Sequence, residues 1–164
     1  MALTTEIMTV AEVKTLAIVD SNLDTAYLDD NILPSQRKWF RSFLGNDFYE
    51  EILGQVDNSA TLTTDNNTLI EDYIKPALAH YVIYRALPRI RNQVAKGGVY
   101  NPLSETADVA SGLDYGRLRD DYLTKAEELR LEIDFFIKDA REDDATKYPL
   151  YCKNESQSGG IILY

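Results

Sequence analysis

His80 and Cys152 are the single histidine and the single cysteine of the chain, and they bound most of the reactive chemistry open to it. One of each, far apart and without a local signature, gives no framework for a Ser-His-Asp or Cys-His arrangement. A lone cysteine also excludes an internal disulfide and a thiolate metal cluster within one chain. His80 sits between Ala79 and Tyr81 inside an apolar run, the pattern of a packed or hydrogen-bonding residue. No GxSxG surrounds a serine, and Gly97-Gly98 is followed by no GK[ST], so neither a nucleophile elbow nor a phosphate loop is present.

Carboxylates are more plentiful. Glu50-Glu51, Asp120-Asp121, Glu127-Glu128 and Asp143-Asp144 offer oxygen ligands, but neighbours on a helix point about 100° apart and do not converge on one ion. Glu128 and Glu132 are one turn apart, with Lys125 and Arg130 near enough to moderate their repulsion. A di-metal bundle needs Glu-x-x-His repeated on several helices, whereas the residue three before His80 is Ala77. The expectation is a protein that is not an enzyme, with no catalytic residues, no cofactor and no metal.

The eleven tyrosines are the more informative excess. Each gives rigid contact area and one hydroxyl, which suits surfaces that are wet before assembly and buried after it. Tyr148, Tyr151 and Tyr164 cluster near the C-terminus, outside the expected core, and an interface would account for them; covering the domain's own helices is the alternative. The segment 85–96 carries Arg85, Arg89, Arg91 and Lys96. Solvated side chains, a protein contact and a contact with DNA backbone all remain readings of it.

The 164 residues suffice for one domain with a real core. Lys plus Arg number 17 against 27 Asp plus Glu, a net charge of -10, and the pI is about 4.5. That balance argues against affinity won by neutralising phosphates and against adhesion to anionic lipid. A hydrophobic fraction of 45% belongs to a folded chain rather than an acidic disordered one. The N-terminus lacks the basic start and apolar stretch of a signal peptide, and no apolar run approaches the roughly 20 residues of a membrane span, so a soluble protein of intracellular origin is expected.

Helical punctuation dominates the elements that must position these residues. One or two short helices are expected between Thr9 and Leu28, broken near Ser21-Asn22, with Asp24 or Thr25 capping a turn. Pro34 in a first turn and Gly45 at a left-handed C′ position bracket a helix bearing Trp39, Phe40, Phe43 and Leu44. Asn46 caps another, carrying Phe48, Tyr49, Ile52 and Leu53 and stopping at Gly54 or soon after. Residues 57–67 read as a polar loop. The run from Leu69 to Ile90 is apolar on more than one face and predicts a central helix, with Pro76 and Pro88 kinking or breaking it and a short helix from Arg89 to about Lys96.

From Val99 to Gly112 neither period holds, predicting an irregular excursion or short hairpin. A long helix follows from about Tyr115 to Asp144, its stripe Leu118, Tyr122, Ala126, Leu129, Ile133, Phe136 and Ala140 keeping steps of three and four. Beyond it, Tyr148, Pro149, Leu150 and Tyr151 form an apolar hook, ESQSGG a spacer, and Ile161, Ile162, Leu163 and Tyr164 an apolar end. The predicted class is all-α: a small helical bundle over 1–145 and an extended C-terminal arm over 146–164. The eight apolar residues of the hook and end are the interface candidates. The arm either inserts into a neighbouring subunit, as an added strand at a sheet edge for instance, or folds back on its own domain.

In order and spacing, LPSQRKWFRSFLGNDFYEEI at 33–52, NNTLIEDYIKPALAHYVIYRALPRI at 66–90, KGGVY at 96–100 and the long helix followed by KYPLY at 147–151 resemble the helical head-to-tail connector, or adaptor, proteins of tailed bacteriophages, the type found in phages of Bacteroidetes. The resemblance implies a structural virion protein made in the host cytoplasm. It would sit at the head–tail junction as a homo-oligomeric ring, commonly of twelve copies, beneath the portal protein and against neighbouring tail or neck proteins. Genomic DNA would pass through without sequence-specific binding, and no membrane would be involved. The hook and apolar end would be its docking arm, and the 99–112 excursion would project toward portal or channel. A tail-completion or collar component, or a phage protein binding a host regulatory target, are the alternatives.

Overall fold

The computed structural model describes residues 4–19, 23–91, 93–95, 98–100 and 112–151. Seven helices account for most of them: α1 (Val10–Leu16), α2 (Ala26–Trp39), α3 (Arg41–Leu44), α4 (Asn46–Asp57), α5 (Thr64–Thr68), α6 (Lys75–Arg91) and α7 (Gly112–Asp143). A 3-10 turn spans Ser59–Thr61, and a π-helical segment, Leu69–Ile74, joins α5 to α6. Two short antiparallel strands, β1 (Gln93–Ala95) and β2 (Gly98–Tyr100), pair with Val94 opposite Val99. The all-α expectation holds, with this hairpin as its one embellishment among the described residues.

The core centres on α6, whose Ala77, Leu78, Ala79, Tyr81, Val82, Ile83, Ala86 and Leu87 are all buried. Burial on this many sides is what an apolar run lacking a polar face requires. Helices α1, α2 and α7 pack around it. Trp39 of α2 stacks on Tyr81 with ring centroids 4.4 Å apart, and Tyr73 just before α6 stacks on Phe136 of α7 at 4.3 Å. Of the α7 stripe Ala126 and Ile133 are fully buried, as is Ile137 beside it, while Leu118 at its start is 47% exposed.

Several boundaries differ from the sequence reading, each for a physical reason. Pro34 lies inside α2, well past its first turn. Leu28 and Ile32, fully buried one turn apart, carry the helix N-terminally of the proline, and that burial outweighs one lost N–H. The helix stops at Trp39, not Gly45; α3 follows, and Gly45 ends it at φ 86, a conformation glycine alone adopts without cost. Asn46 is the first residue of α4 and not its side-chain cap: its amide accepts from Arg41 Nε and donates to Glu50. That helix runs through Gly54 to Asp57.

The supposed loop 57–67 contains a helical turn, because Thr63 caps Asn66 and the Asn66 amide donates to Gln55 and Glu51 of α4. Pro76 follows the π segment, in which the Lys75 N–H reaches back five residues to the Ile70 carbonyl. The wider turn precedes the residue that has no N–H to give, so α6 follows on without a break. Pro88 likewise sits inside α6, and the short helix expected over 89–96 is replaced by the end of α6 and β1. The rest of the 99–112 excursion, from 101 to 111, lies outside the described residues.

Thr9 and Glu12 form a capping box on α1: Thr9 Oγ1 accepts from the Glu12 N–H, and the Glu12 carboxylate accepts from the Thr9 N–H at 2.7 Å. The same carboxylate takes the Lys75 ammonium at 2.6 Å, opposite Glu71, also at 2.6 Å. Lys75 is only 8% exposed. Burial disfavours each charge, but the bonds and mutual attraction outweigh it, leaving Glu12 below its ordinary value of 4.5 and Lys75 above 10.5.

A carboxylate held low in the fold adds stability above about pH 4.5 that drains as pH falls through its folded value; the raised lysine adds stability below about pH 10.5 that drains above it. Glu12→Gln should therefore lower the unfolding free energy in urea at neutral pH by about 1–2 kcal/mol, Glu71 still serving Lys75. The gap to wild type should narrow as the buffer is taken from about pH 5 to 3. A gap that stays constant over that range would show that the carboxylate's charge contributes nothing.

Candidate functional site

The hook after α7 is the most densely bonded feature near the expected interface residues. Its geometry begins at Asp144, whose carboxylate accepts from the Thr146 N–H and hydroxyl and turns the chain out of the helix. Those bonds hold the Asp144 carboxyl below its ordinary range. Tyr148 then takes φ 49, a left-handed conformation uncommon for a tyrosine. Arg141, in the last turn of α7, holds that geometry. Its guanidinium donates to the carbonyls of Lys147, Tyr148 and Tyr151, and the Tyr151 N–H closes the turn onto the Tyr148 carbonyl at 3.1 Å.

Both tyrosines point inward. Tyr148 and Tyr151 are 5% and 4% exposed and meet Phe48 edge-on at 5.8 and 6.2 Å; Tyr151 also meets Phe43 and Tyr148 meets Phe136. The Tyr148 hydroxyl donates to the Asp65 carbonyl at 2.9 Å, and the Tyr151 hydroxyl to Asp134 Oδ1 at 3.0 Å. Burial, with the nearby Asp65 charge, pushes the Tyr148 phenol up to about 12. Burial and the bond to Asp134 raise Tyr151 further.

This corrects the reading of Tyr148 and Tyr151 as lying outside the core. They cover the domain's own helices, so residues 146–151 pack with the bundle, and of the hook only Pro149 and Leu150 face solvent, Leu150 being 42% exposed. Ile161, Ile162, Leu163 and Tyr164 lie outside the described residues, as does the expected insertion of the arm.

Sequence reasoning missed Arg141 and Asp134, the two groups that hold the hook. Nothing in their local sequence marks them, because their partners are carbonyls and a hydroxyl brought in by the turn. Asp134 is 3% exposed and shares its carboxylate between Tyr151 and Lys138 Nζ at 2.8 Å.

Groups with reactive potential are engaged structurally. The His80 Nδ1–H donates to the Pro76 carbonyl of its own helix at 2.8 Å, and its ring lies beside Tyr122. Glu127 accepts from the Tyr81 hydroxyl at 2.7 Å and pairs with Arg130. Glu50 pairs with Arg41, Glu51 accepts from Gln55 and Asn66, and Glu128 pairs with Lys125. Among the described residues no three His, Cys, Asp or Glu side chains group as a metal site, and no helix is long and apolar enough to cross a membrane.

Two of the surface hollows are lined by described residues. One of about 250 Å³ lies under the hook between Asp65, Asn66, Thr146 and Tyr148; the other, about 390 Å³, lies between Asp30, Asn31, Arg85 and Arg89. In the second, Arg89 of the basic segment pairs with Asp30 at 3.1 Å, both largely exposed. Elsewhere on the surface, Leu131 and Phe135 stand one turn apart on α7, 52% and 59% exposed.

Fold and surface together define a small helical-bundle domain with a C-terminal hook clasped onto its core and apolar side chains left on its longest helix. The chain belongs to a family of unknown function, DUF6712, whose model matches residues 40–161. No curated protein and no solved structure matches it.

Removing only the hydroxyl, Tyr151→Phe should cost about 1–2 kcal/mol by taking one bond from buried Asp134. Tyr151→Ala should cost about 3–5 kcal/mol, since the ring contacts go as well. Thermal melts of the two variants beside wild type check this; a Tyr151→Ala melt equal to wild type would return the hook to the status of a free arm.

Proposed function

We propose that this chain is a structural virion protein that forms a ring at the head–tail junction of a tailed phage, joins the portal to the tail and leaves a passage for DNA. It acts by assembly, without catalysis, cofactor or metal. The observation that carries the reading is the division of labour on the surface. The histidine and several carboxylates, Glu127 and Glu128 among them, are engaged in structural bonds, while Leu131, Phe135 and Leu150 present apolar area to solvent. Large apolar side chains grouped on an otherwise charged helix mark contact surfaces more often than catalytic ones. The resemblance in helix order and spacing to the connector proteins supplies the assembly.

On this reading Ile161, Ile162, Leu163 and Tyr164 are the docking end, reaching a neighbour through the spacer at 155–160. Burying four large apolar side chains offsets the entropy of ordering that spacer. The partners are other copies of the chain, the portal and adjoining tail or neck proteins.

Deletion of Gly159 to Tyr164 should leave the cooperative melt of the domain in place and weaken docking to the cognate portal ring. Native mass spectrometry reads the docking directly: the intact 18.6 kDa chain should add to the portal ring in twelve copies, and the truncated chain in few or none. A deletion that abolishes the melt but not docking contradicts the arm's role. If the intact chain adds no copies to a folded portal, another tail component or a host-binding protein becomes the better reading.

A further inference from the structure

Helices α2 and α7 both pack on α6, α2 antiparallel to it through Asp30–Arg89 and Trp39–Tyr81, α7 antiparallel to it through Tyr84–Arg119 and Tyr81–Glu127. Residues of α2 and α7 can therefore be compared by height along their common neighbour. Asp30 stands level with Arg89, and continuing from the Tyr84–Arg119 pair toward the end of α6 brings Arg117 of α7 within about one turn of that height. Trp39 stands level with Tyr81 and hence with Glu127. Arg37, Lys38 and Arg41 flank Trp39; Asp121 and Glu128 flank the same height on α7.

Asp30, Arg37, Lys38, Arg41, Arg117, Asp121 and Glu128 are exposed, whereas Arg119 and Glu127 are half-buried. On α2 and its continuation into α3, the positions Asp30, Arg37 and Arg41 share one outward stripe, with Lys38 beside it. On α7, Arg117, Asp121 and Glu128 share another, which continues into the exposed Leu131 and Phe135. Read in the same direction, the first stripe runs from acid to base and the second from base to acid. Lys125, paired with Glu128 at 3.5 Å, and Arg130, paired with Glu127, are bases near the acidic end, and Asp120 is an acid beside Arg117; the net sign of each end follows the pattern.

Resting on the ring reading, we propose that these two faces are the two halves of a head-to-tail contact between copies of this chain: the α2–α3 stripe of one subunit meets the α7 stripe of the next. Copies related by rotation about an axis parallel to the helices keep their heights. Asp30 then faces Arg117, and the Arg37, Lys38 and Arg41 corner faces Asp121 and Glu128. Two different faces of one chain in a repeating contact are what a closed ring needs, since a self-complementary face would stop at a dimer. The charges set register and orientation, and Leu131 and Phe135 extend the buried area beyond the charged part.

Two full-length variants test the contact. Arg37→Glu with Lys38→Glu makes the first face acidic; Asp121→Lys with Glu128→Lys makes the second basic. Each variant alone opposes like charges, so self-association followed by sedimentation velocity at the intermediate ionic strength where the wild type associates best, and ring formation on the portal, should weaken by about tenfold or more. In an equimolar mixture every contact of an alternating assembly again pairs opposite charges, so association should return. Matching melts for the variants and wild type keep misfolding apart from the result.

Variants that associate as wild type does, or a mixture that restores nothing, overturn the assignment of these faces while the ring stands. A wild-type chain that stays monomeric at every concentration, with and without the portal ring, removes the ring and this contact with it.

Discussion

Tyr81 carries the constraint on which the arrangement of the bundle depends. Its ring is fully buried between Trp39, stacked at 4.4 Å, and Phe40, edge-on at 6.1 Å, while its hydroxyl crosses to Glu127 of α7. Three helices thus meet at one side chain. Each aromatic pair adds about 0.5–1.5 kcal/mol beyond its buried area, and the hydroxyl bond, made to a charged acceptor, belongs to the stronger class. Burial and that bond hold the phenol well above its ordinary range, so the bond persists as a neutral donor on a carboxylate. Arg130 closes the arrangement, pairing with the same Glu127 while its guanidinium lies over Phe43. The heights of α2 and α7 relative to α6 are fixed here.

Two further clasps hold the periphery to that centre. Lys75 ties α1 to the junction of the π segment and α6, and Arg141 ties the hook to α7. Each gives partners to groups held out of solvent: at Lys75 the ammonium itself, taken by two half-exposed carboxylates, and at Arg141 the carbonyls of the turn. Gln36 does the same with a neutral amide: its oxygen accepts from the Ile7 N–H, and its nitrogen donates to the Thr5 carbonyl and the Tyr49 hydroxyl. The N-terminal segment and the hook are thus held by polar bonds as well as by buried side chains, Ile7, Met8 and Val13 in the one and Tyr148 and Tyr151 in the other.

What the sequence made legible follows from the range of the forces involved. The steps of three and four along α7, the apolar fullness of α6 and the break at Gly45 are local patterns, and each was readable. The prolines misled because their rule is local while the outcome was not. Leu28 and Ile32 extend α2 through Pro34, and a π turn precedes Pro76 where a break was expected. The Thr9–Glu12 capping box is also a local pattern, a threonine followed three residues on by a glutamate. Composition alone places Tyr148 and Tyr151 outward; their inward direction depends on Arg141 and on a left-handed residue, which no spacing announces. Lys75 and Glu12 lie 63 positions apart, and only the fold brings them together.

The acidic balance of the chain bears on how such a bundle associates. Each added copy brings a net charge of -10, so long-range repulsion grows with the number of subunits, whereas a contact between complementary stripes acts only within about a Debye length. Salt weakens both. Screening removes the long-range repulsion first, because close, partly desolvated pairs are screened less than distant exposed ones. On the proposed reading, association among free copies is then opposed at low ionic strength and most favoured at an intermediate one. A template that already holds copies side by side meets part of that opposition through its own contacts, and raises the effective concentration of each face at the next. For a chain of this charge, assembly on a partner ring is physically the easier route than assembly from free monomers.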